Sequence, residues 1–265
     1  MIELYHGSSS VCSSKVRIGL AEKEIEWVSH PINLAQGEQN QPFYLALNPN
    51  GVVPTLVDQG LAVTESSVIL EYVDSLTPDN RLMPSNRSDE VRAKMYLARC
   101  IDIHAAINTL TFTTVNRQRI LAKKSPEDIE TSIKAMANPA NASKRRDVLK
   151  NGLDSDFMLS AFFILRRLFA DMQKNLENSK WLLNESYSIA DTAIISYIDR
   201  LERLGLSGMW QSEFSEIERW LVQSRARPSY EKALNAYIST SDADSMREDG
   251  LKMWPDVKTR WEVAP

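Results

Sequence analysis

A change of pattern near residue 78 constrains this chain more than any other feature. Before it, strand and helix signals alternate; beyond about residue 88, apolar residues recur almost only at helical spacing. One sheet cannot use helices distributed this way. The pattern calls for a small α/β unit followed by an all-helical unit, each burying its own apolar face. In the first unit, residues 2–5 and 26–31 read as strands and 15–23 and 66–76 as helices, with a short helical piece around 43–47. Residues 55–57 and 61–64 read as a hairpin turning on Asp58-Gln59-Gly60. The order is β-α-β-α-β-β-α. Two turn-rich clusters within 77–87 read as a linker.

In the second unit, residues 89–122 read as one long helix, and Ser125-Pro126 opens another. Residues 137–144 read as polar and irregular, and 153–176 as a strongly apolar helix. Ser188-Ile189-Ala190-Asp191 has the form of a capping box before a helix ending near 204; two short helices follow. The expected organisation is a domain at 1–78, a linker at 79–87, a helical domain at 88–238 and a polar tail at 239–265. In that tail Met253, Trp254 and Trp261 stand out, as if it folds back over a pocket or onto a partner subunit.

Several function classes are excluded. A net charge of −4 carries no electrostatic footprint for nucleic acid. No run approaches the ~18 apolar residues of a membrane span. The N-terminus lacks a charged-then-apolar signal segment, so the expectation is a cytoplasmic protein off the membrane. Two cysteines and three scattered histidines make neither a disulfide framework nor a metal site.

Three constellations carry chemistry. Cys12 lies in the Ser-rich turn Ser8-Ser9-Ser10-Val11-Cys12-Ser13-Ser14, where a strand gives way to a helix. A helix N-terminus favours thiolate, so either Cys12 reacts or its turn activates a bound thiol. Val53-Pro54, opening a strand, is a candidate cis peptide whose Val53 backbone would serve as an edge for an extended peptide; the plainer alternative is a proline that merely starts an edge strand. Glu65-Ser66 stands before a helix: the helix start favours a carboxylate and Glu65 an ammonium, or the pair is a plain cap beside an exposed acid.

Together, Asn48-Pro49-Asn50-Gly51-Val52-Val53-Pro54, Glu65-Ser66 and the Ser188–Asp191 box resemble the glutathione S-transferases over about 235 residues. The resemblance implies a thioredoxin-like N-terminal domain with a C-terminal helical bundle, α/β then all-α. It also implies a homodimer, with glutathione as co-substrate. In that family the residue before a cis proline pairs with the cysteine of glutathione, which falls here on Val53 and Pro54. Glu65 and Ser66 would bind the γ-glutamyl end, and Gln39 and Gln41 the glycine carboxylate. Ser188 and Asp191 would be structural.

The turn is similar to those of zeta-class maleylacetoacetate isomerases and tetrachlorohydroquinone dehalogenases, which implies Ser10 and Cys12 as the reacting pair with Ser13 beside them. The segment 125–152 is similar to bacterial β-etherases, although those usually carry Asn or Ser where this turn has Cys. The implied activity is attack of the glutathione thiol on an aromatic or other small hydrophobic electrophile, by β-aryl ether cleavage or thiolytic dehalogenation. Alternatives are a cis-trans isomerase of the maleylacetoacetate type and a non-catalytic binding module. Cys12 has three open jobs: a second donor, a nucleophile that forms a mixed disulfide, or an inert small residue. Tyr5, His6, Tyr96, Arg99, His104, Asn108 and Phe112 are candidates to line an acceptor pocket between the domains. Arg145 and Arg146 read as a solvated charge run.

Overall fold

The computed structural model describes residues 1–264. Its first unit contains β1 (Ile2–His6), α1 (Val11–Glu22), β2 (Trp27–Pro31), α2 (Pro42–Leu45), β3 (Thr55–Asp58), β4 (Leu61–Val63) and α3 (Ser66–Ser75). The sheet order is β2-β1-β3-β4, with β1 parallel to β2 and antiparallel to β3, and β3 antiparallel to β4. Alternation along β1 buries Ile2 and Leu4, which meet Val16, Leu20, Leu56, Ile69 and Val73 in a small core. The hairpin turns on Gln59 and Gly60 alone, both with positive φ (49° and 84°), so Asp58 stays in the strand.

The second unit contains α4 (Arg87–Thr111), α5 (Arg117–Lys123), α6 (Pro126–Lys134), α7 (Pro139–Asn151), α8 (Asp156–Leu176), α9 (Ile189–Arg203), α10 (Gly208–Gln211), α11 (Glu216–Arg225), α12 (Pro228–Ala233) and α13 (Thr240–Val263). Three expectations are corrected. The long helix expected to 122 is interrupted by a π-helical turn, Phe112–Asn116. The stretch expected to be irregular is mostly helix: Asn138 accepts from Ala140 N and Asn141 N and starts α7, with Pro139 at its first position. The expected tail is the 24-residue helix α13. Its Trp261 packs edge-on against Phe162 and tilted against Phe169 of its own domain. It comes so close to α9 that a Cβ on Gly250 would lie 1.8 Å from Leu204 O.

The capping box forms as expected. Asp191 accepts from Ser188 N, Ser188 Oγ, Leu182 N and Trp220 Nε1, all at 3.0 Å or less. The chain between the units is tied down. The Lys23–Asp74 ion pair (3.0 Å) is buried, Lys23 also donates to the carbonyls of Thr77 and Asn80, and Asp74 accepts from Leu82 N and Met83 N. α1 lies between the two units, packed against α3 on one side and α9 and α12 on the other. Residues 11–20 are therefore all buried, although Ser13, Ser14, Lys15 and Arg17 are polar.

Candidate active site

Burying polar residues obliges each to find a partner, and those partners build the site. Arg17 donates to the carbonyls of Gly7, Ser8 and Ala233, to Ser14 Oγ and to His6 Nδ1, and its guanidinium stacks on Tyr237 at 3.8 Å. Arg200 of α9 reaches across to the Ser9 carbonyl. The turn ahead of α1 is thus held by one guanidinium from each unit. His6 is buried, and burial first, then the Arg17 charge, pull it down to about 4. It stays neutral and belongs to this scaffold, so its candidacy as a pocket residue is corrected.

Ser10 is the N-cap of α1. Its Oγ accepts from Ser13 N at 3.3 Å, and the side chain is only partly buried, which leaves its hydroxyl proton to be donated outward. Ser13 is fully buried, and its Oγ accepts from Gly7 N at 3.2 Å. Cys12 sits one step inside the helix and is 9% exposed. It faces the seam between the units, its Sγ 3.9 Å from the Tyr197 hydroxyl. Burial alone raises this thiol, but His104, Lys15 and Ser66 outweigh it and bring the pKa down to about 6.

Lys15 is fully buried and meets no carboxylate among the described residues. Its Nζ donates to Ser66 Oγ and Ser67 Oγ at 3.2 Å and lies 5.1 Å from the Tyr197 ring centroid. That position is the N-terminus of α3, where the helix dipole is itself positive. These positive features already help to hold the Cys12 thiolate, and on their outer side they favour an anion at the start of α3. Just before them Glu65 is exposed and has φ 63°, an uncommon conformation for a side chain of its size.

Val53–Pro54 is cis. Tyr44 Oη and Asn48 Nδ2 hold the Val52 carbonyl at 2.6 and 2.9 Å. Val53 makes no hydrogen bond among the described residues outside the regular ladders, so its peptide groups remain available. Gln39 lines a small cavity with Asn40, Asn50, Gly51, Met136 and Asn138, and its buried Oε1 has no partner among the described residues. Gln41 is exposed at the start of α2.

The α4 candidates divide. His104 comes to Cys12, and its buried Nδ1 has no partner among the described residues. Asn108 and Phe112 are half-buried farther along. Arg99 is not a free anion ligand, because it pairs with Asp171 at 2.5 Å. Tyr96 is buried and bonded to Asn175 at 2.9 Å, and Tyr5 stacks on His30 at 4.4 Å. Lys15, Tyr197, Arg17 and Arg200 escape the sequence reading. Only Lys15 leaves a signal there, one helical turn beyond Cys12 and on the same face.

Residues 9–76 match the family described as Glutathione S-transferase, N-terminal domain, and residues 159–228 that described as Glutathione S-transferase, C-terminal domain. Over 246 residues the chain is 24% identical to the Glutathione S-transferase TCHQD of Arabidopsis thaliana, covering 90% of this chain and 91% of that protein. Over 259 residues it is 26% identical to Protein LigF of Sphingobium sp. strain SYK-6, covering 95% and 96%. The crystal structure of β-etherase LigF shares the fold, with a TM-score of 0.77 at 24% identity over 89% of this chain and 99% of that one. A maleylacetoacetate isomerase of Pseudomonas aeruginosa is 41% identical over 112 residues, 40% of this chain and 52% of that protein.

Proposed function

Because the chain belongs to the glutathione S-transferase superfamily, we propose that it activates the thiol of glutathione for attack on a small aromatic or otherwise electrophilic molecule. The observation that carries this reading is the anion-seeking start of α3, with Lys15 buried beneath Ser66 and exposed Glu65 beside it. A γ-glutamyl group, carboxylate and ammonium on one carbon, suits that arrangement. Its carboxylate meets Ser66, with the buried Lys15 ammonium behind that hydroxyl, and its ammonium meets Glu65. The rest of the tripeptide runs extended along Val53, with its glycine end toward Gln39 and Gln41. Its sulfur arrives at Ser10.

Lowering a thiol by ~2 pKa units takes about 2.7 kcal/mol. A hydrogen bond to a charged acceptor supplies roughly 1.5–3 kcal/mol, and a helix N-terminus roughly 0.3–1. The Ser10 hydroxyl, polarised by the Ser13 N–H at its oxygen, is thus sufficient together with α1. In β-aryl ether cleavage the thiolate forms a carbon–sulfur bond as the carbon–oxygen bond breaks, and the aryloxide leaves. The cleft between the units takes the acceptor.

A thiolytic second step is favoured by one observation, the depressed pKa of Cys12. Its thiolate attacks the sulfur of an aryl–glutathione thioether. The carbon–sulfur bond breaks, the arene carbon takes a proton, and a mixed disulfide forms. A second glutathione thiolate then releases Cys12 and yields glutathione disulfide. The local 41% identity to an isomerase supports turnover of maleylacetoacetate as the alternative. We further propose a homodimer, supported by exposed apolar side chains at Leu61, Val68, Val91 and Met95, and a cytoplasmic location, supported by two unpaired cysteines. No helix among the described residues is long and apolar enough to cross a membrane.

The test is thermal. Glutathione at 100 times its Kd stabilises the folded chain by about 2.7 kcal/mol. The wild-type midpoint should rise with millimolar glutathione, and Lys15→Met should abolish most of the rise. An unmoved wild-type midpoint would favour a non-catalytic module.

A further inference from the structure

α6 and α7 form an insertion that closes against both units. At one end Ala137 N donates to Asn40 Oδ1 at 3.4 Å, beside Gly51. Farther along, α7 turns Lys144 and Arg145 toward α4. The Arg145 guanidinium carbon lies 3.4 Å from the Phe112 ring centroid. Lys144 Nζ donates to Ala105 O at 2.7 Å and lies 5.3 Å from the Phe157 ring centroid. The reading of Arg145 as part of a solvated charge run is corrected here. Arg146 does point outward and pairs with Glu130 at 2.7 Å, whereas Arg145 is half-buried and makes neither an ion pair nor a hydrogen bond among the described residues.

Burial pulls Arg145 down to about 10 and Lys144, which also feels Arg145, to about 8. Two half-buried neighbouring cations without an anion among the described residues cost the fold stability. A guanidinium placed over an aromatic ring with its N–H donors unused among the described residues is arranged to grip a carboxylate. Phe112 also opens the π-helical turn, a distortion often found at functional sites. His104, beside Cys12, and Phe112 lie on the same helical stretch eight residues apart, about 12 Å at 1.5 Å per residue.

Resting on the reading of this cleft as the acceptor site, we propose that the acceptor carries a carboxylate, held by Arg145 and Lys144 at the end of the cleft remote from the reacting sulfur. The preferred substrates are then elongated aromatic acids, with the electrophilic carbon about 12 Å from the acid group, the span of roughly eight helical residues.

Calorimetric titration of the full chain with 2-naphthoate, with 2-naphthamide and, separately, with glutathione tests this. Wild type should bind the acid at least roughly tenfold more tightly than the amide. Arg145→Gln should erase that preference while changing glutathione affinity less than about twofold, and Arg145→Lys should keep part of it. Equal binding of acid and amide by wild type would overturn the proposal, as would an unchanged preference in Arg145→Gln. Loss of glutathione binding in Arg145→Gln with naphthoate binding intact would also overturn it, since the cations would then serve the glycyl carboxylate of the tripeptide. Should Arg145→Gln fail to fold, Lys144→Gln and the wild-type acid-to-amide ratio decide. Retained acid preference in a chain that ignores glutathione would sink the proposed function and leave only the carboxylate site at Arg145 and Lys144 standing.

Discussion

At Cys12 the fold holds a thiol near 6 instead of 9.0, although burial works against it. Thiolate absorbance at 240 nm, taken as wild type minus Cys12→Ser, should titrate with a midpoint near 6, and His104→Ala should move that midpoint upward. The same shift fixes a pH dependence of stability. A group whose folded pKa is depressed contributes stability that is complete above pH 9 and lost as pH falls toward 6. The stability of wild type minus that of Cys12→Ser should therefore fall as pH falls across that window. At Ser10 the expectation concerns rate. Losing one hydrogen bond to a thiolate costs roughly 1.5–3 kcal/mol, so Ser10→Ala should lower kcat/KM by roughly 10- to 150-fold. Ser13→Ala should mostly lower stability, because the Ser13 hydroxyl secures Gly7 N. The places of Ser10, Cys12, Glu65 and Ser66 at helix starts were legible because turn and cap chemistry is local. His104 was legible only as one of several α4 candidates, and Tyr197 not at all, since α4 and α9 meet α1 through long-range packing that no spacing encodes.

Elements show where reading by pattern runs out. The first unit was legible nearly element by element, because strand alternation and turn residues sit close together in sequence. α13 was not, because its polarity is that of a helix clamped along one narrow face. That face depends on Gly250 meeting the Leu204 carbonyl and on Trp254 crowding Gly208. In an exposed helix Gly→Ala gains about 1 kcal/mol, but Gly250→Ala should lower the melting midpoint, because the new methyl has nowhere to go. α7 hid for a similar reason: its start depends on one Asn138 cap, and it buries only Val148 and Leu149 near its end, so hydrophobic periodicity never appears over its first half. The α9 cap makes the opposite prediction, one visible in sequence. Asp191→Ala strips the acceptor from four buried donors and should cost at least about 3 kcal/mol, read as a lower urea midpoint.

Over the whole molecule, α1 is the shared wall. Its outward face is covered by α9 and α12, Glu22 grips Arg227 at 2.6 Å, and Lys23 fastens the connecting segment. A chain cut after the first unit would expose that wall, so residues 1–86 alone should lack near-ultraviolet ellipticity. The full chain should unfold in urea with coincident fluorescence and far-ultraviolet transitions. Lys23→Met leaves Asp74 only Arg81 at 3.7 Å and two backbone donors, and should lower the urea midpoint. The carbonyls of Gly7 and Ser8 are moored from within the first unit and that of Ser9 from the second. The two halves therefore cannot drift apart without taking the Ser10 hydroxyl along. Libraries that randomise the acceptor cleft but spare positions 17 and 200 should accordingly yield more working catalysts than libraries that touch either.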